Sequence, residues 1–315
     1  PTFPDMPLTS EQRLREIVSN LGMAVVKVQS ASPTPLLKPV PVTPKALVVG
    51  AGLAGMTAAL TAAEGGLRVR LLEREDRLGG ESGKRRYTLE GLDPAAWMRD
   101  LEERVRSHER IEVHTGAELM GLSGEPGRFS ARVRIGEEEI QLSCGALILA
   151  TGAREAGTSE YGLGQSDRIL RQGELEARLA AGELKAEDLD RVVMIQCAGS
   201  RDPEGRTYCS RICCASALKN AARILEIHPE ADVYVLYRDL MSYGFMESRY
   251  RELRERGVQF ITYPPDERPR VELEGDRVAV LFQEPVLGRP VAVHPDLLVL
   301  RSEEHTSELQ SLLII

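Results

Sequence analysis

A glycine-rich segment at residues 50–55, GAGLAG, constrains the fold of this chain more than any other feature. It follows a continuous apolar run at residues 46–49, typical of a buried parallel strand, and precedes an alanine-rich stretch that favours a helix. In that context, Gly-x-Gly-x-x-Gly predicts a dinucleotide-binding β-α-β unit. Gly50 permits the tight turn, Gly52 lets the backbone approach a pyrophosphate, and Gly55 allows the helix to pack on the strand.

An acidic residue follows at the position that such a unit uses for a ribose. Glu73 ends the second predicted strand, residues 68–72, and lies 18 residues after Gly55. A carboxylate there accepts hydrogen bonds from ribose hydroxyls and repels a 2′-phosphate, so the pattern excludes NADP as the ligand. We expect the same site to be bordered by Leu53, Ala54 and Arg74.

Two later motifs favour FAD over NAD in this first unit. The spacing Glu73-x(5)-Gly-Gly resembles an extension found in flavoproteins with two dinucleotide-binding domains. Residues 146–152, ALILATG, resemble a later strand of the same flavoproteins, which ends in Thr-Gly where the chain crosses between domains. The resemblance implies FAD, bordered by Gly79, Gly80, Thr151 and Gly152.

A second candidate site is a cluster of cysteines with the spacing C-x(11)-C-x(3)-C-C: Cys197, Cys209, Cys213 and Cys214. The first ends a predicted strand, and the others lie at the start of the next predicted helix, whose dipole favours thiolates. Four thiolates can hold an iron–sulfur cluster or a tetrahedral zinc ion. A redox-active pair of Cys209 and Cys213, or inert buried thiols, remain as alternatives. Cys144 lies in an apolar strand and is predicted to be a core residue.

The cysteine cluster stands where a second nucleotide loop is expected. After the strand at residues 192–196, that loop reads CAGSRD at residues 197–202, with Cys197 at the position of the first glycine. Its single glycine cannot provide both the tight turn and the close approach to a pyrophosphate. We therefore predict that the cysteine site has replaced a nicotinamide site in the second unit.

The predicted fold class is α/β, with two Rossmann-like dinucleotide-binding units that resemble those of thioredoxin reductase, and an antiparallel β insert near residues 117–143. The predicted divisions of the chain are 1–44 (a helix and a Pro-rich linker), 45–172 (the FAD-binding domain), 173–295 (the second, cysteine-bearing domain), 296–300 (the start of a return to the FAD domain) and 301–315 (an adapter-derived artefact). The remainder is interpreted as an internal piece of a longer protein.

Composition narrows the possible partners. The 315 residues include 40 Lys and Arg against 48 Asp and Glu, and a net charge of −8 argues against nucleic-acid binding. No apolar run approaches the length of a membrane span. Four of the five cysteines fall within 18 residues, which is unlike a secreted disulfide framework and favours a metal or redox site in a reducing compartment.

The second unit carries a more specific resemblance. Residues 196–202, QCAGSRD, and 208–214, YCSRICC, resemble the A-type subunit of heterodisulfide reductase, which is an iron–sulfur flavoprotein, as do LYRD at 236–239 and YGF at 243–245. The similarity covers roughly residues 40–300. It implies a cytoplasmic oxidoreductase subunit for electron transfer, with FAD in the first domain and a [4Fe–4S] cluster on the four cysteines of the second.

The resemblance also implies a larger assembly. Its members work with subunits B and C and a hydrogenase or formate dehydrogenase module, and some carry out flavin-based electron bifurcation. The further ferredoxin-type clusters of the family have no cysteines in this chain, so we expect the fragment to be inactive alone and assign no catalytic residue. The alternative function is an FAD-dependent pyridine-nucleotide disulfide oxidoreductase that uses Cys209 and Cys213.

Overall fold

The computed structural model describes residues 9–30, 41–155, 158–201, 207–209, 212–275, 277–302, 304–306 and 313–314. The chain divides into two compact units, Pro1–Pro41 and Val42–Ile315. The helices are α1 (Ser10–Ser30), α2 (Leu53–Glu64), α3 (Ala95–Ser107), α4 (Gln172–Ala181), α5 (Cys213–Ile227) and α6 (Met246–Glu255). Within these ranges, no helix has the length and apolar character needed to cross a bilayer.

The strands alternate with these helices and then form antiparallel pieces. They are β1 (Lys45–Val49), β2 (Arg68–Leu72), β3 (Ile111–His114), β4 (Ala117–Glu125), β5 (Arg128–Ile135), β6 (Glu138–Cys144), β7 (Ala146–Leu149), β8 (Ala153–Glu155), β9 (Ile169–Arg171), β10 (Arg191–Ala198), β11 (Asp232–Tyr237), β12 (Gln259–Thr262), β13 (Arg270–Glu274), β14 (Arg277–Glu284), β15 (Arg289–Val293), β16 (Leu297–Ser302), β17 (Glu304–Thr306) and β18 (Leu313–Ile314).

The first compact unit contributes helix α1. Thr9 and Gln12 form a reciprocal cap at its start: the backbone N–H of each residue donates to the side chain of the other, at 2.8 and 3.3 Å. No residue of α1 is buried. The Pro-rich linker predicted to follow it falls largely outside the described residues.

A sheet of order β18-β7-β1-β2-β3 forms the centre of the first dinucleotide-type unit. Strand β1 pairs in parallel with both β7 and β2. One face packs on α2 and α3 through residues such as Val48 and Met56, and the other packs on the antiparallel sheet β4-β5-β6 through Leu47 and Leu147. Burial on both faces explains why β1 is continuously apolar. Cys144 is buried in β6, which confirms its prediction as a core residue.

The second sheet has the order β12-β11-β10-β16-β9, and β10 pairs in parallel with β11 and β16. Helices α4 and α5 cover one face, and the antiparallel sheet β13-β14-β15 covers the other. The mixed α/β class with parallel and antiparallel sheets is therefore confirmed.

Two predicted boundaries differ from the observed topology. Residues 296–300 were expected to begin the return to the FAD domain, but β16 pairs with β10 and β9 inside the second sheet. Its residues alternate between the two core clusters of that sheet, so burial on both faces holds it there. Strand β9, expected in the first domain, also joins the second sheet. Further along the described chain, β17 pairs with β8, and β18 pairs with β7 of the first dinucleotide-type unit.

Candidate functional site

The glycine turn after β1 has the geometry that its spacing predicts. Gly50 has a φ of +97°, and a Cβ atom there would lie 2.2 Å from the carbonyl oxygen of Ala150. A Cβ on Gly55 would lie 1.8 Å from the carbonyl oxygen of Gly50. Gly52 differs, because a Cβ there would meet no heavy atom within 4 Å. Two glycines are therefore required by packing, whereas Gly52 borders open space at the start of α2.

Glu73 connects the end of β2 to this turn. One carboxylate oxygen accepts a hydrogen bond from the backbone N–H of Ala51 at 2.8 Å, and the other accepts from the N–H of Glu75 at 3.0 Å. The N–H of Gly50 donates to the carbonyl of Leu72 at 2.8 Å. Each carboxylate oxygen keeps a second lone pair, so Glu73 could still accept a hydroxyl of a ligand.

A second glycine pair approaches the turn from the loop after β2. Gly79 and Gly80 have φ values of +107° and +52°, which favour glycine. The N–H of Gly79 donates to the carbonyl of Ala51 at 2.8 Å. A Cβ on Gly80 would lie 3.2 Å from the Cα of Gly52. The two glycine-rich loops therefore meet at Gly52.

The remaining residues predicted for the first site surround the same edge of the sheet. They are at least partly exposed and follow β1, β2 or β7: Leu53, Ala54, Arg74, Thr151 and Gly152. The carboxyl ends of parallel strands meet at one edge, and ligands of open α/β sheets bind there. The structure thus brings together the eleven residues predicted from the two glycine motifs, the acidic residue and the Thr-Gly motif.

The four predicted cluster cysteines lie near the end of β10 and around the start of α5. Cys213 and Cys214 are buried and are the first two residues of α5, whereas Cys209 is partly exposed. Cys197 adopts a φ of 62°, which is uncommon for a residue with a side chain. Burial raises the pKa of Cys197, and the negative charge of Cys213 raises it further. The thiols are thus close enough for their charges to interact.

Other groups contact these thiols. The Sγ atom of Cys214 accepts the backbone N–H of Met241 at 3.4 Å, and burial raises its pKa to about 12. Arg201 forms an ion pair with Asp239 at 2.7 Å. Among the residues that the structure describes, no three His, Cys, Asp or Glu side chains are arranged to hold a metal ion. The intervening residues 202–206 and 210–211 lie outside the described ranges.

Sequence reasoning missed a carboxylate beside the second loop. Glu160 accepts a hydrogen bond from the backbone N–H of Gly199 at 2.6 Å, and its other oxygen lies 3.5 Å from the guanidinium of Arg268. Gly199 is the single glycine of the segment predicted to have lost its nucleotide loop. A loop amide of the kind that binds a phosphate is therefore bonded to a carboxylate of the same chain.

Sequence reasoning also missed a buried polar network that joins the two dinucleotide-type units. Lys219 of α5 contacts the carboxylate of Glu176 in α4 at 2.9 Å and donates to the backbone carbonyl of Tyr87 at 2.9 Å. Glu176 also accepts the backbone N–H of Arg86 at 2.8 Å. The hydroxyl of Tyr87 donates to the side chain of Asn220 at 2.7 Å. A lysine and an asparagine within an apolar helix were the available signal, but their partners could not be inferred.

The chain has a thioredoxin reductase-like FAD/NAD(P)-binding fold, and its family match and curated relatives indicate an oxidoreductase. The sequence profile of the family "Pyridine nucleotide-disulphide oxidoreductase" matches residues 44–193. Thioredoxin reductase from T. acidophilum superposes with a TM-score of 0.55 at 15% identity, covering 82% of this chain and 76% of that one. The Lactococcus lactis enzyme gives 0.55 at 16% identity, with coverage of 82% and 77%. At these identities the likeness shows the fold alone.

Curated relatives are more specific and confirm the resemblance to the A-type subunit of heterodisulfide reductase. The A-type subunit of ferredoxin:CoB-CoM heterodisulfide reductase from Methanosarcina acetivorans is 27% identical over 94% of this chain and 52% of its own length. The A-type iron–sulfur subunit of CoB–CoM heterodisulfide reductase from Methanopyrus kandleri is 28% identical over 84% of this chain and 54% of its own length. The chain spans about half the length of the curated relatives it matches.

Proposed function

We propose that this chain is the FAD- and [4Fe–4S]-binding electron-transfer part of an A-type, heterodisulfide reductase-like subunit. One observation carries the proposal: the loops at equivalent places in the two β-α-β units present different ligand-binding groups. The first offers an open glycine at Gly52, whereas the second offers buried thiols and a loop amide already bonded to Glu160. The first suits a dinucleotide, and the second suits a sulfur-ligated group.

The first site fits FAD. Gly52 leaves room for a pyrophosphate against the start of α2, where backbone N–H groups and the helix dipole favour an anion. Glu73 would accept a ribose hydroxyl while it keeps the turn attached to β2. Bound FAD would supply the capacity to take up and release electrons. The role of the protein is to hold its phosphates and orient it at the edge of the sheet.

The cysteine site fits a [4Fe–4S] cluster by its donor set. Four thiols are available, and the negative charges of Cys213 and Cys209 both act on Cys197. Iron favours the thiolate form, which burial alone would oppose. The backbone N–H of Met241 and the guanidinium of Arg201 lie where they would offset negative charge on sulfur. We assign the cluster to Cys197, Cys209, Cys213 and Cys214.

The relatives suggest the wider setting. We propose that the complete protein works in the cytoplasm with subunits similar to heterodisulfide reductase B and C and with a hydrogenase or formate dehydrogenase module. Flavin-based bifurcation would be a property of that assembly. Neither nucleic acid nor a membrane span enters the proposal. This chain itself would hold the cofactors and pass electrons onward.

The first experiment is anaerobic purification followed by flavin, iron, sulfide and zinc analysis. We expect one flavin and about four irons with four sulfides per chain. Cys213→Ser should lose iron and keep flavin, and the control Cys144→Ser, a buried cysteine outside the cluster, should keep both. Iron without dependence on Cys213 would contradict the ligand assignment.

A second candidate function is favoured by the family match at residues 44–193, whose description includes disulfide reduction. In that function, Cys209 and Cys213 would form a redox-active pair beside a bound FAD. Flavin without iron, together with a thiol pair that takes up two electrons and flavin bleaching by NADH, would support it over the cluster.

A further inference from the structure

Gln196 is a buried polar side chain whose partner is missing from the described protein. It directly precedes Cys197 and is 0% exposed. Neither its amide nitrogen nor its amide oxygen has a hydrogen-bond partner among the described residues. Leaving a buried amide without partners is destabilising, and buried polar groups of folded proteins are nearly always hydrogen-bonded, so a partner of the side chain is expected.

The strand register indicates where that partner lies. Val192 and Met194 belong to the core cluster that β10 shares with α4 and α5, whereas Val193 and Ile195 belong to the cluster on the other face. Side chains alternate along a strand, so Gln196 falls on the α4–α5 side. Helix α5 runs back along β10, so its first turn lies near the carboxyl end of that strand. This turn begins with Cys213 and Cys214.

The backbone around Gln196 also departs from regular strand pairing, as is common beside a binding site. The pairing of β10 with β16 is regular up to Ile195 and irregular between Ile195 and Ala198. The carbonyl of Gln196 accepts the hydroxyl of Tyr263 at 2.6 Å, which fixes the main chain at this point. Irregular pairing of this kind is common beside active sites.

We propose that the side-chain N–H of Gln196 donates a hydrogen bond to a sulfur atom of the iron–sulfur group held by the four cysteines, and that this bond raises its reduction potential. The inference rests on the proposed function. A reduced cluster carries one more negative charge than an oxidised one, so a donor to sulfur stabilises the reduced form more. Hydrogen bonds to the sulfurs are among the factors that set the potentials of such clusters.

The test compares wild-type chain with Gln196→Leu and Gln196→Met, which remove the donor and keep a similar volume. Met194→Leu is the matched control, because it changes an apolar side chain on the same face of the same strand. Cluster potentials are measured by redox titration with electron paramagnetic resonance detection. We expect both Gln196 variants to keep iron and flavin. Their cluster should be about tenfold harder to reduce, equivalent to about 59 mV for one electron, because a bond to a charged group is lost.

Three outcomes would overturn the inference: unchanged potentials in both Gln196 variants, an equal shift in Met194→Leu, or loss of iron from both Gln196 variants while the control keeps it. The last would make the amide a group needed for assembly. A wild-type chain with flavin but no iron would overturn the proposed function itself, and metal analysis shows this before any potential is measured.

Discussion

The loops that follow β1 and β10 occupy equivalent places in two β-α-β units, yet they present different chemistry. The first is built from Gly50, Gly52 and Gly55, and its accessible backbone faces open space. The second places Cys197 in a left-handed conformation and bonds its one glycine amide to Glu160. The comparison teaches that this topology fixes where a ligand binds, while a few loop residues decide whether backbone amides or thiolates meet it.

The largest expected effect is on the stability of the first loop, where Gly55 is needed for packing and Gly52 leaves space for a ligand. In Gly55→Ala the new Cβ would meet the carbonyl of Gly50 at 1.8 Å, so the turn must deform. We expect a loss of about 4 kcal/mol or more in the free energy of unfolding, together with loss of flavin. Urea unfolding and flavin stoichiometry measure the two effects.

Gly52→Ala is the matched control for that prediction. Its Cβ meets no heavy atom of the protein within 4 Å, so the stability of the chain should change little. Flavin binding should nevertheless weaken, because the methyl group enters the space assigned to the pyrophosphate. Full flavin content in Gly52→Ala would remove this glycine from the proposed site.

The next effect concerns the network that joins the two dinucleotide-type units. Lys219→Met removes the nearer of two cations from the buried carboxylate of Glu176, which keeps Arg85 at 3.4 Å, and it takes a donor from the carbonyl of Tyr87. Removing one partner of a buried ion pair costs about 3 kcal/mol or more when no other charge compensates, so with Arg85 in place we expect about 2 kcal/mol. Arg223→Met is the control, because its pair with Glu226 at 2.8 Å lies on the exposed side of the same helix. Loss of that exposed pair should lower the free energy of unfolding by less than about 1 kcal/mol. Equal losses in both variants would contradict the structural role of the network.

The two candidate sites differ in how far the sequence alone predicts them. The first site follows from local spacing, because each glycine acts on neighbours that the motif itself supplies. In the second, the cysteines were recognisable, but Glu160 and Lys219 were not, because their partners lie far away in the chain. The pairing of β16 was not predictable either, for a related reason. A short apolar strand at residues 297–300 is compatible with either sheet, and only its pairing with β10 and β9 decides.

A smaller effect tests the carboxylate at the second loop. Glu160→Ala removes an acceptor of the Gly199 N–H and one partner of Arg268, which should cost about 1–2 kcal/mol. Glu160→Gln keeps an amide oxygen as acceptor and should lose less. We expect NADH to leave the bound flavin oxidised in the wild-type chain and in both variants, because Cys197 still replaces the first glycine. Bleaching in Glu160→Ala alone would show that the carboxylate is what closes the second loop to nucleotides.

The smallest expected effect is a pH dependence of the free energy of unfolding, caused by Tyr87 in the buried network that joins the two dinucleotide-type units. Burial, and then the charge of Glu176, raise the pKa of Tyr87 above its ordinary value of 10.0. A raised pKa means that the folded state retains the proton more strongly, so this contribution to stability is complete below pH 10 and is lost as the pH rises above it. Tyr87→Phe removes the bond to Asn220 and should cost about 1 kcal/mol at pH 7. Between pH 10 and 11, however, the variant should lose less stability than the wild type, as measured by urea unfolding at each pH. A parallel decline of the two proteins would mean that Tyr87 does not carry the alkaline sensitivity.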